Sequence, residues 1–163
     1  MKTIIYFIRH SVRLNNDYIN EYNTTQSKLI KNEKIVLSAD GEKRAEILSN
    51  EKELQNLDVV YASNCVRTLQ TAKYIIEKQN LKVNIDERLD ERRVGKTNDA
   101  EIKDWYTRQY LDKNYKTEGG ESQVDVRNRV TEAFKEIINK NKGKRIAIFS
   151  HRICYNIFLD ELV

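Results

Sequence analysis

Short apolar runs recur along this chain, and they constrain its fold more than any other feature. The runs are TIIYFI at 3–8, DVVYA at 58–62, KVNI at 82–85 and RIAIFSH at 145–151. Short runs that are rich in β-branched residues and lack regular polar alternation are typical of strands buried on both faces of a parallel sheet. We therefore predict four strands, each followed by a more polar segment.

Segments with helical periodicity separate and follow these strands. Helices are predicted over 39–57, 68–79, 101–111, 122–141 and from residue 152 onward. Ser122 is expected to cap the fourth helix, and Gly143 is expected to end it. Strands that alternate with helices predict an α/β fold, a three-layer sandwich with a mostly parallel central sheet flanked by helices. Because no linker or repeat interrupts the pattern, we predict a single domain over 1–163.

Composition and charge argue against several classes of function. The 29 basic and 25 acidic residues are interspersed, so the net charge of +4 forms no basic stripe of the kind that binds nucleic acid. Two cysteines and two histidines without metal-ligand spacing do not predict a zinc site. The apolar run at 3–8 stops at Arg9, short of a signal peptide, and no other segment approaches a membrane span. We expect a cytoplasmic protein with reduced thiols that binds neither nucleic acid nor membranes.

The residues that follow the four strands carry the chemistry. Arg9 and His10 follow the first strand, Arg67 the second and Glu91 the third, and His151 ends the fourth. Ligands of parallel sheets bind beyond the carboxyl ends of the strands, so these side chains are expected to converge. Guanidinium groups match the oxygens of a tetrahedral dianion, and a neutral imidazole can attack phosphorus. The pattern therefore predicts phosphoryl transfer.

Motifs of competing phosphate chemistries are absent from the sequence. The chain has no G-x-x-x-x-G-K-[ST] loop, no G-x-G-x-x-G fingerprint and no G-x-S-x-G nucleophile turn. Neither Cys65 nor Cys154 is followed, five residues on, by the arginine that a cysteine phosphatase requires. A histidine nucleophile is the choice that remains.

Six segments match, in order, the motifs of a known family. They are FIRHS at 7–11, LSADGEKRAE at 37–46, YASNCVRTLQTA at 61–72, LDERRVG at 89–95, GGES at 119–122 and IFSH at 148–151. With these segments, the sequence resembles the histidine phosphatase superfamily, also called the phosphoglycerate mutase-like family, over nearly its whole length. The hallmark of that family is an R-H-G motif at the end of the first strand. The resemblance implies a phosphoglycerate mutase-like fold.

The resemblance also implies a phosphatase that works through a covalent intermediate. His10 would accept the phosphoryl group on one ring nitrogen. Arg9, Arg67 and His151 would surround that group and stabilise the charge on its oxygens. Glu91 would protonate the leaving alkoxide and then help to deprotonate the hydrolytic water. This scheme requires no metal and no organic cofactor.

Two further residues enter the expected site through the same resemblance. Asn16 lies six residues after His10, where the family often has an asparagine that contacts phosphate. Glu121 of the GGES segment either contacts the phosphate-binding shell or is a first-turn helix acid favoured by the helix dipole.

Three residues depart from the family pattern. Ser11 replaces the glycine of R-H-G, Arg13 stands where serine or threonine is common, and Arg152 replaces the glycine that commonly follows the second histidine. If those positions need a positive φ, the changes impair catalysis; otherwise the two arginines favour a multiply anionic substrate. The alternatives to a phosphatase are phosphoglycerate mutase-type phosphoryl transfer and a catalytically impaired phosphate-binding or interaction module.

The expected substrate is a phosphorylated small molecule, with a phosphoprotein as the alternative. Segment 96–120 is predicted to form a lid or specificity wall. Its aromatic residues either stack on a substrate or, as we favour, belong to the core. They are Trp105, Tyr106, Tyr110 and Tyr115. The sequence gives no indication of an oligomeric state.

Overall fold

A computed structural model describes residues 2–15, 32–96 and 102–159 of the chain. Its strands are β1 (Ile4–Arg9), β2 (Val59–Ala62), β3 (Val83–Ile85) and β4 (Arg145–Ser150). They form one sheet in the order β1-β4-β2-β3, and every pairing in it is parallel. The prediction of a parallel sheet is confirmed.

Helices connect and cover these strands. Their bounds are Ala39–Leu48 for α1, Val66–Gln79 for α2, Ile102–Leu111 for α3, Gln123–Lys140 for α4 and Arg152–Leu159 for α5, with short 3-10 turns at Lys52–Leu54 and Glu87–Leu89. Within the described ranges, no helix combines the length and the apolar character needed to cross a membrane.

The first helix is shorter than its periodicity predicts. α1 ends at Leu48, whereas the predicted helix continues to residue 57. The Ser49 hydroxyl donates to the Glu46 carbonyl at 2.6 Å, and the Asn50 side-chain amide donates to the same carbonyl at 3.2 Å. Hydrogen bonds of this kind give the backbone an alternative to continued helix, which explains the early end.

The start of α4 is as predicted, and its end differs slightly. Ser122 caps the helix by accepting a hydrogen bond from the Asp125 amide at 3.0 Å, and the Asp125 carboxylate accepts one from the Ser122 amide in return. This reciprocal capping box satisfies two amides that the first turn leaves without helical partners. The helix ends at Lys140, and Gly143, with φ of 78°, shapes the turn before β4.

The central strand β4 divides the core into two layers. Ile146 and Ile148 pack in one cluster with residues of α4 and α5, while Ala147 and Phe149 pack in a second cluster with residues of α2. The residues alternate between the two clusters because successive side chains of a strand point to opposite faces of the sheet. Because helices cover both faces of the sheet, the predicted three-layer sandwich is confirmed.

The sheet register brings the carboxyl ends of three strands together. Arg9 at the end of β1 pairs with Ser150 at the end of β4. The His10 amide donates to the Ser150 carbonyl at 3.0 Å, and the Ser63 amide donates to the Phe149 carbonyl at 3.0 Å. The residues that follow β1, β2 and β4 therefore lie side by side at one edge of the fold.

Candidate active site

Two imidazole rings lie at the carboxyl edge of the sheet. The ring centroids of His10 and His151 are 5.2 Å apart, and the ring planes are tilted by 58°. His151 is completely buried, whereas His10 is partly exposed. The two histidines, separated by most of the sequence, are therefore neighbours in the fold.

The His10 ring is held in one tautomer by its own loop. Its Nδ1 lies 2.7 Å from the Ser11 carbonyl oxygen, which can only accept a hydrogen bond. The proton therefore sits on Nδ1, and the lone pair is on Nε2. Burial lowers the pKa of His10 to about 4, and the guanidinium groups of Arg67 and Arg9 favour the neutral ring further. A neutral imidazole with a free Nε2 is the form that can act as a nucleophile.

The loop that carries His10 is fixed from α2 and from α1. The Ser11 amide donates to Thr71 Oγ1 of α2 at 3.0 Å. The Val12 carbonyl accepts from the Ser38 amide, the residue that caps α1, at 3.0 Å. Gly41 of α1 packs so closely on that carbonyl that a Cβ there would lie 2.0 Å from the Val12 oxygen. Only glycine permits this approach, which explains the glycine in the LSADGEKRAE segment.

Arg67 places a guanidinium between the second histidine and Asn32, which lies in a helical segment before α1. The residue is 2% exposed and lies in the first turn of α2. One terminal nitrogen donates to the Asn32 carbonyl, and the other lies 3.1 Å from His151 Nδ1. Its Nε–H is buried and has no hydrogen-bond partner among the residues that the structure describes. Among the described residues, Arg67 makes no salt bridge, so this cation is free to meet an anionic ligand.

His151 is enclosed by polar groups of β2 and α2. Its Nε2 lies 2.8 Å from Ser63 Oγ, which is itself 3.0 Å from Thr68 Oγ1. Burial and the nearby Arg67 guanidinium keep the pKa of His151 well below that of a free histidine. The second ring is therefore also neutral at physiological pH.

A pair of acidic residues follows the Glu87–Leu89 turn, and the two carboxylates point to different partners. Glu91 Oε2 lies 3.9 Å from His151 Nδ1, and Oε1 accepts from the Arg92 amide at 2.9 Å. Asp90 Oδ1 accepts from the Asn64 amide at 2.7 Å, and burial raises the pKa of Asp90 to about 6. Glu91 is thus the carboxylate beside His151.

Three arginines lie within three residues of His10 or His151 in the sequence, and two of them stand at departures from the family pattern. Arg9, Arg13 and Arg152 are exposed, and none forms a salt bridge within the described part of the chain. The described non-glycine residues with positive φ do not include Ser11 or Arg152. Serine at position 11 and arginine at position 152 therefore cause no left-handed strain in the backbone. The arginines at 13 and 152 add positive charge.

Two further expected site residues are Asn16 and Glu121. Asn16 is outside the described residues. Glu121 forms a bidentate ion pair with Arg129, with distances of 2.7 and 2.9 Å, and accepts from the Arg93 amide at 3.0 Å. Arg129 also donates to the Arg88 carbonyl at 2.7 Å. Through these contacts, Glu121 ties the segment after β3 to the start of α4.

Helix α3 lies in the segment expected to form a lid. Trp105 is 2% exposed, and the Arg92 guanidinium carbon lies 4.4 Å above its ring. The Arg92 guanidinium also donates to the buried Gln109 side chain. Tyr106 and Tyr110 are exposed. The preference for a core role is therefore correct for Trp105 and wrong for these two tyrosines, because they lie on the outer face of α3.

Sequence reasoning did not assign roles to three residues that shape the site. Ser63 and Thr71 stand within the YASNCVRTLQTA segment, so their motif positions could have identified them. Asn32 lies in a polar stretch without periodicity, and its contact with Arg67 spans 35 residues of sequence. No local pattern indicates that contact.

Comparison with known proteins gives a family match, a similar sequence and similar solved structures. Residues 5–163 match the sequence model of the histidine phosphatase superfamily (branch 1). Phosphoserine phosphatase 1 of Hydrogenobacter thermophilus is 32% identical over 125 residues, which cover 72% of this chain and 59% of that protein. The chain thus spans less than two thirds of the length of that relative.

Solved structures of similar fold include two further phosphatases. Mycobacterial glucosyl-3-phosphoglycerate phosphatase superposes with a TM-score of 0.73 and 19% identity, covering 96% of this chain and 77% of that one. The alpha-ribazole phosphatase of Shigella flexneri gives a TM-score of 0.75 and 20% identity, covering 98% and 79%. At these identities, the likeness shows a common fold.

Proposed function

Because the chain belongs to the histidine phosphatase superfamily, we propose that it hydrolyses phosphate monoesters through a phosphohistidine intermediate on His10. One observation carries the proposal. Within the described part of the chain, the buried Arg67 guanidinium has an unpartnered Nε–H and no salt bridge, and it lies at the same site as a neutral imidazole whose lone pair is on Nε2. This combination provides a binding group for an oxyanion beside a nucleophile.

In the first step, His10 attacks the phosphorus of the ester. The Nε2 lone pair forms the N–P bond while the bond from phosphorus to the leaving oxygen breaks. The protonated carboxyl of Glu91 gives its proton to that oxygen, so the product leaves as a neutral alcohol. Since the Ser11 carbonyl holds the Nδ1 proton, the ring needs no rearrangement before attack.

In the second step, water attacks the phosphohistidine. The Glu91 carboxylate accepts a proton from the water, the new P–O bond forms, and the N–P bond breaks. Inorganic phosphate leaves, and His10 returns to its neutral form with Glu91 protonated again. Every proton in the cycle moves between the substrate, water and groups of this chain.

Charge on the transferring group is stabilised by fixed donors. The Arg67 guanidinium is buried, so its interaction with an oxyanion is stronger than it would be in water. We propose that Arg9 and Asn16 supply further donors, and that His151, whose Nδ1 lies 3.1 Å from an Arg67 terminal nitrogen, keeps that guanidinium beside the same oxygens. The scheme uses no metal and no organic cofactor.

We propose a phosphorylated small molecule as the substrate. The three phosphatases compared above support this class through their names. The exposed guanidinium groups of Arg13 and Arg152 favour a substrate that carries negative charge beyond its phosphate. The unstrained backbone at Ser11 favours an active enzyme over an impaired binding module.

The test is phosphate release from an aryl phosphate without added metal. We expect wild type to be active, and His10→Ala to be inactive because the nucleophile is gone. Brief reaction followed by denaturation should leave a phosphoryl group on His10 that is labile in acid and stable in base. Glu91→Gln should slow hydrolysis most for alkyl esters, whose leaving oxygens need a proton more than those of aryl esters do.

Glu87→Gln is the matched control for the acid, because Glu87 is an exposed carboxylate in the preceding turn. It should leave hydrolysis unchanged. Activity that survives in His10→Ala, or a phosphoryl group found on another residue, contradicts the proposed nucleophile. A wild-type protein that binds phosphate and hydrolyses no ester favours the binding module instead.

A further inference from the structure

Ser63 accepts a hydrogen bond from the second histidine. The Arg67 terminal nitrogen lies 3.1 Å from His151 Nδ1, and a guanidinium can only donate. Nδ1 must therefore carry the lone pair, which places the proton of the neutral ring on Nε2. Ser63 Oγ, 2.8 Å from Nε2, is the acceptor of that proton.

The hydroxyl chain behind Ser63 has a consistent direction. Ser63 Oγ also accepts from the Cys65 amide at 3.3 Å, so its own proton is free to point to Thr68 Oγ1 at 3.0 Å. The Thr68 hydroxyl in turn donates to the Cys65 carbonyl at 2.6 Å. The hydroxyl protons of Ser63 and Thr68 then both have an acceptor. Ser63 Oγ accepts from the Cys65 amide with one lone pair and keeps the other for His151.

The opposite tautomer has no comparable partner. A proton on Nδ1 would face the Arg67 donors, and the carboxylate of Glu91 is 3.9 Å away, beyond hydrogen-bond distance. In that tautomer, Nε2 would need a hydrogen bond from the Ser63 hydroxyl, whose proton would have to turn from Thr68 to His151. The geometry therefore favours a proton on Nε2 in the free protein.

We infer that Ser63 is a positioning residue: by accepting the Nε2 proton of His151, it aims the Nδ1 lone pair at Arg67 and so holds the phosphate-binding guanidinium in place. The inference rests on the proposed function for its relevance to catalysis. It also means that the two histidines are opposite tautomers, with the proton on Nδ1 in His10 and on Nε2 in His151. No other described side chain contacts Nε2 of His151 at hydrogen-bond distance.

Nitrogen NMR of the histidine-labelled protein tests the inference directly, because the chain contains two histidines. The wild-type spectrum should show one ring protonated at Nδ1 and one at Nε2, and His10→Ala should remove the former. In Ser63→Ala, the His151 signals should lose the pure Nε2-protonated pattern. Asn64→Ala changes the exposed neighbouring residue and leaves the Ser63 hydroxyl and its partners in place, so in this matched control His151 should keep its tautomer.

Inorganic phosphate measures the consequence for Arg67. Its inhibition constant should rise about tenfold in Ser63→Ala, the equivalent of one buried hydrogen bond, while Asn64→Ala should leave it unchanged. The rise should appear in KM more than in kcat, because Ser63 touches no reacting atom. Thermal unfolding of both variants checks that they remain folded.

The outcomes separate this inference from the proposed function. A wild-type His151 protonated at Nδ1 overturns the inference even if the enzyme is active and even if Ser63→Ala does not fold. A wild-type protein with the expected tautomers but no hydrolytic activity keeps the inference and contradicts the proposed function. An unchanged phosphate inhibition constant in folded Ser63→Ala also overturns the inference about Ser63.

Discussion

Replacing Gly41 with alanine tests how tightly α1 holds the loop that carries His10. An alanine Cβ would lie 2.0 Å from the Val12 carbonyl oxygen, and real contacts of this kind are essentially never below 3.0 Å. Alanine inside a helix is otherwise favoured over glycine by about 1 kcal/mol. Overpacking costs about 1–3 kcal/mol, and both partners here are backbone, so we expect the upper end.

The two effects oppose each other, and the clash should win. The expected net loss is about 2 kcal/mol, which lowers Tm by about 4–8 °C in a domain of this size. Relief of the clash must also move the loop, and a displacement of about 1 Å near the reacting atoms can cost about 100-fold in rate. Circular dichroism melting measures the first effect, and phosphate release from an aryl phosphate measures the second.

The control for this prediction is Lys43→Ala, an exposed position on the same helix. It should change neither the Tm nor the rate. The close packing of Gly41 on Val12 is refuted if Gly41→Ala melts at or above the wild-type temperature with full activity. A gain of about 1 kcal/mol would show helix propensity acting alone.

Three further predictions concern stability. Burial raises the pKa of Asp90 to about 6, so the stability that the protonated carboxyl contributes to the fold is lost as pH rises from 4 through 6. Asp90→Asn, which stays neutral, should therefore raise the free energy of unfolding by about 1–2 kcal/mol at pH 8 and leave it unchanged at pH 4. Between pH 6.5 and 4, urea titrations should show the free energy of unfolding of wild type falling relative to that of His10→Gln, since the unfolded chain protonates His10 first and Asp90 contributes equally to both proteins. Glu121→Gln should lower Tm while leaving KM for an aryl phosphate unchanged, because the carboxylate pairs with Arg129; a raised KM with normal Tm would instead indicate substrate contact.

The sequence predicts the strands and the residues at their ends because both depend on local pattern. Buried parallel strands are short apolar runs, and parallel strands end at a common edge. His10 and His151 could therefore be placed together before any contact was known. The register of β1 against β4 then brings their rings to 5.2 Å.

Other features depend on tertiary contacts that no local pattern encodes. The periodicity of 39–57 continues past Leu48, but side-chain hydrogen bonds to Glu46 end α1 there. Tyr106 and Tyr110 have the spacing of a helix face, and which face is buried depends on where α3 lies. The sequence could not decide whether Glu121 contacts phosphate or acts as a first-turn helix acid, because its ion pair with Arg129 is seen only in the folded structure.

The sheet order also has a consequence for how the protein is made. β1 pairs with β4, so Ile4 must wait for Arg145 before it has a strand partner, while β2 and β3 can pair as soon as residue 85 has been synthesised. Contacts of such long sequence separation form late, because closing the long loop between them costs entropy. On the ribosome, the first histidine therefore remains without the second until nearly the whole domain has emerged. The two histidines should therefore come together only after β4 has been synthesised.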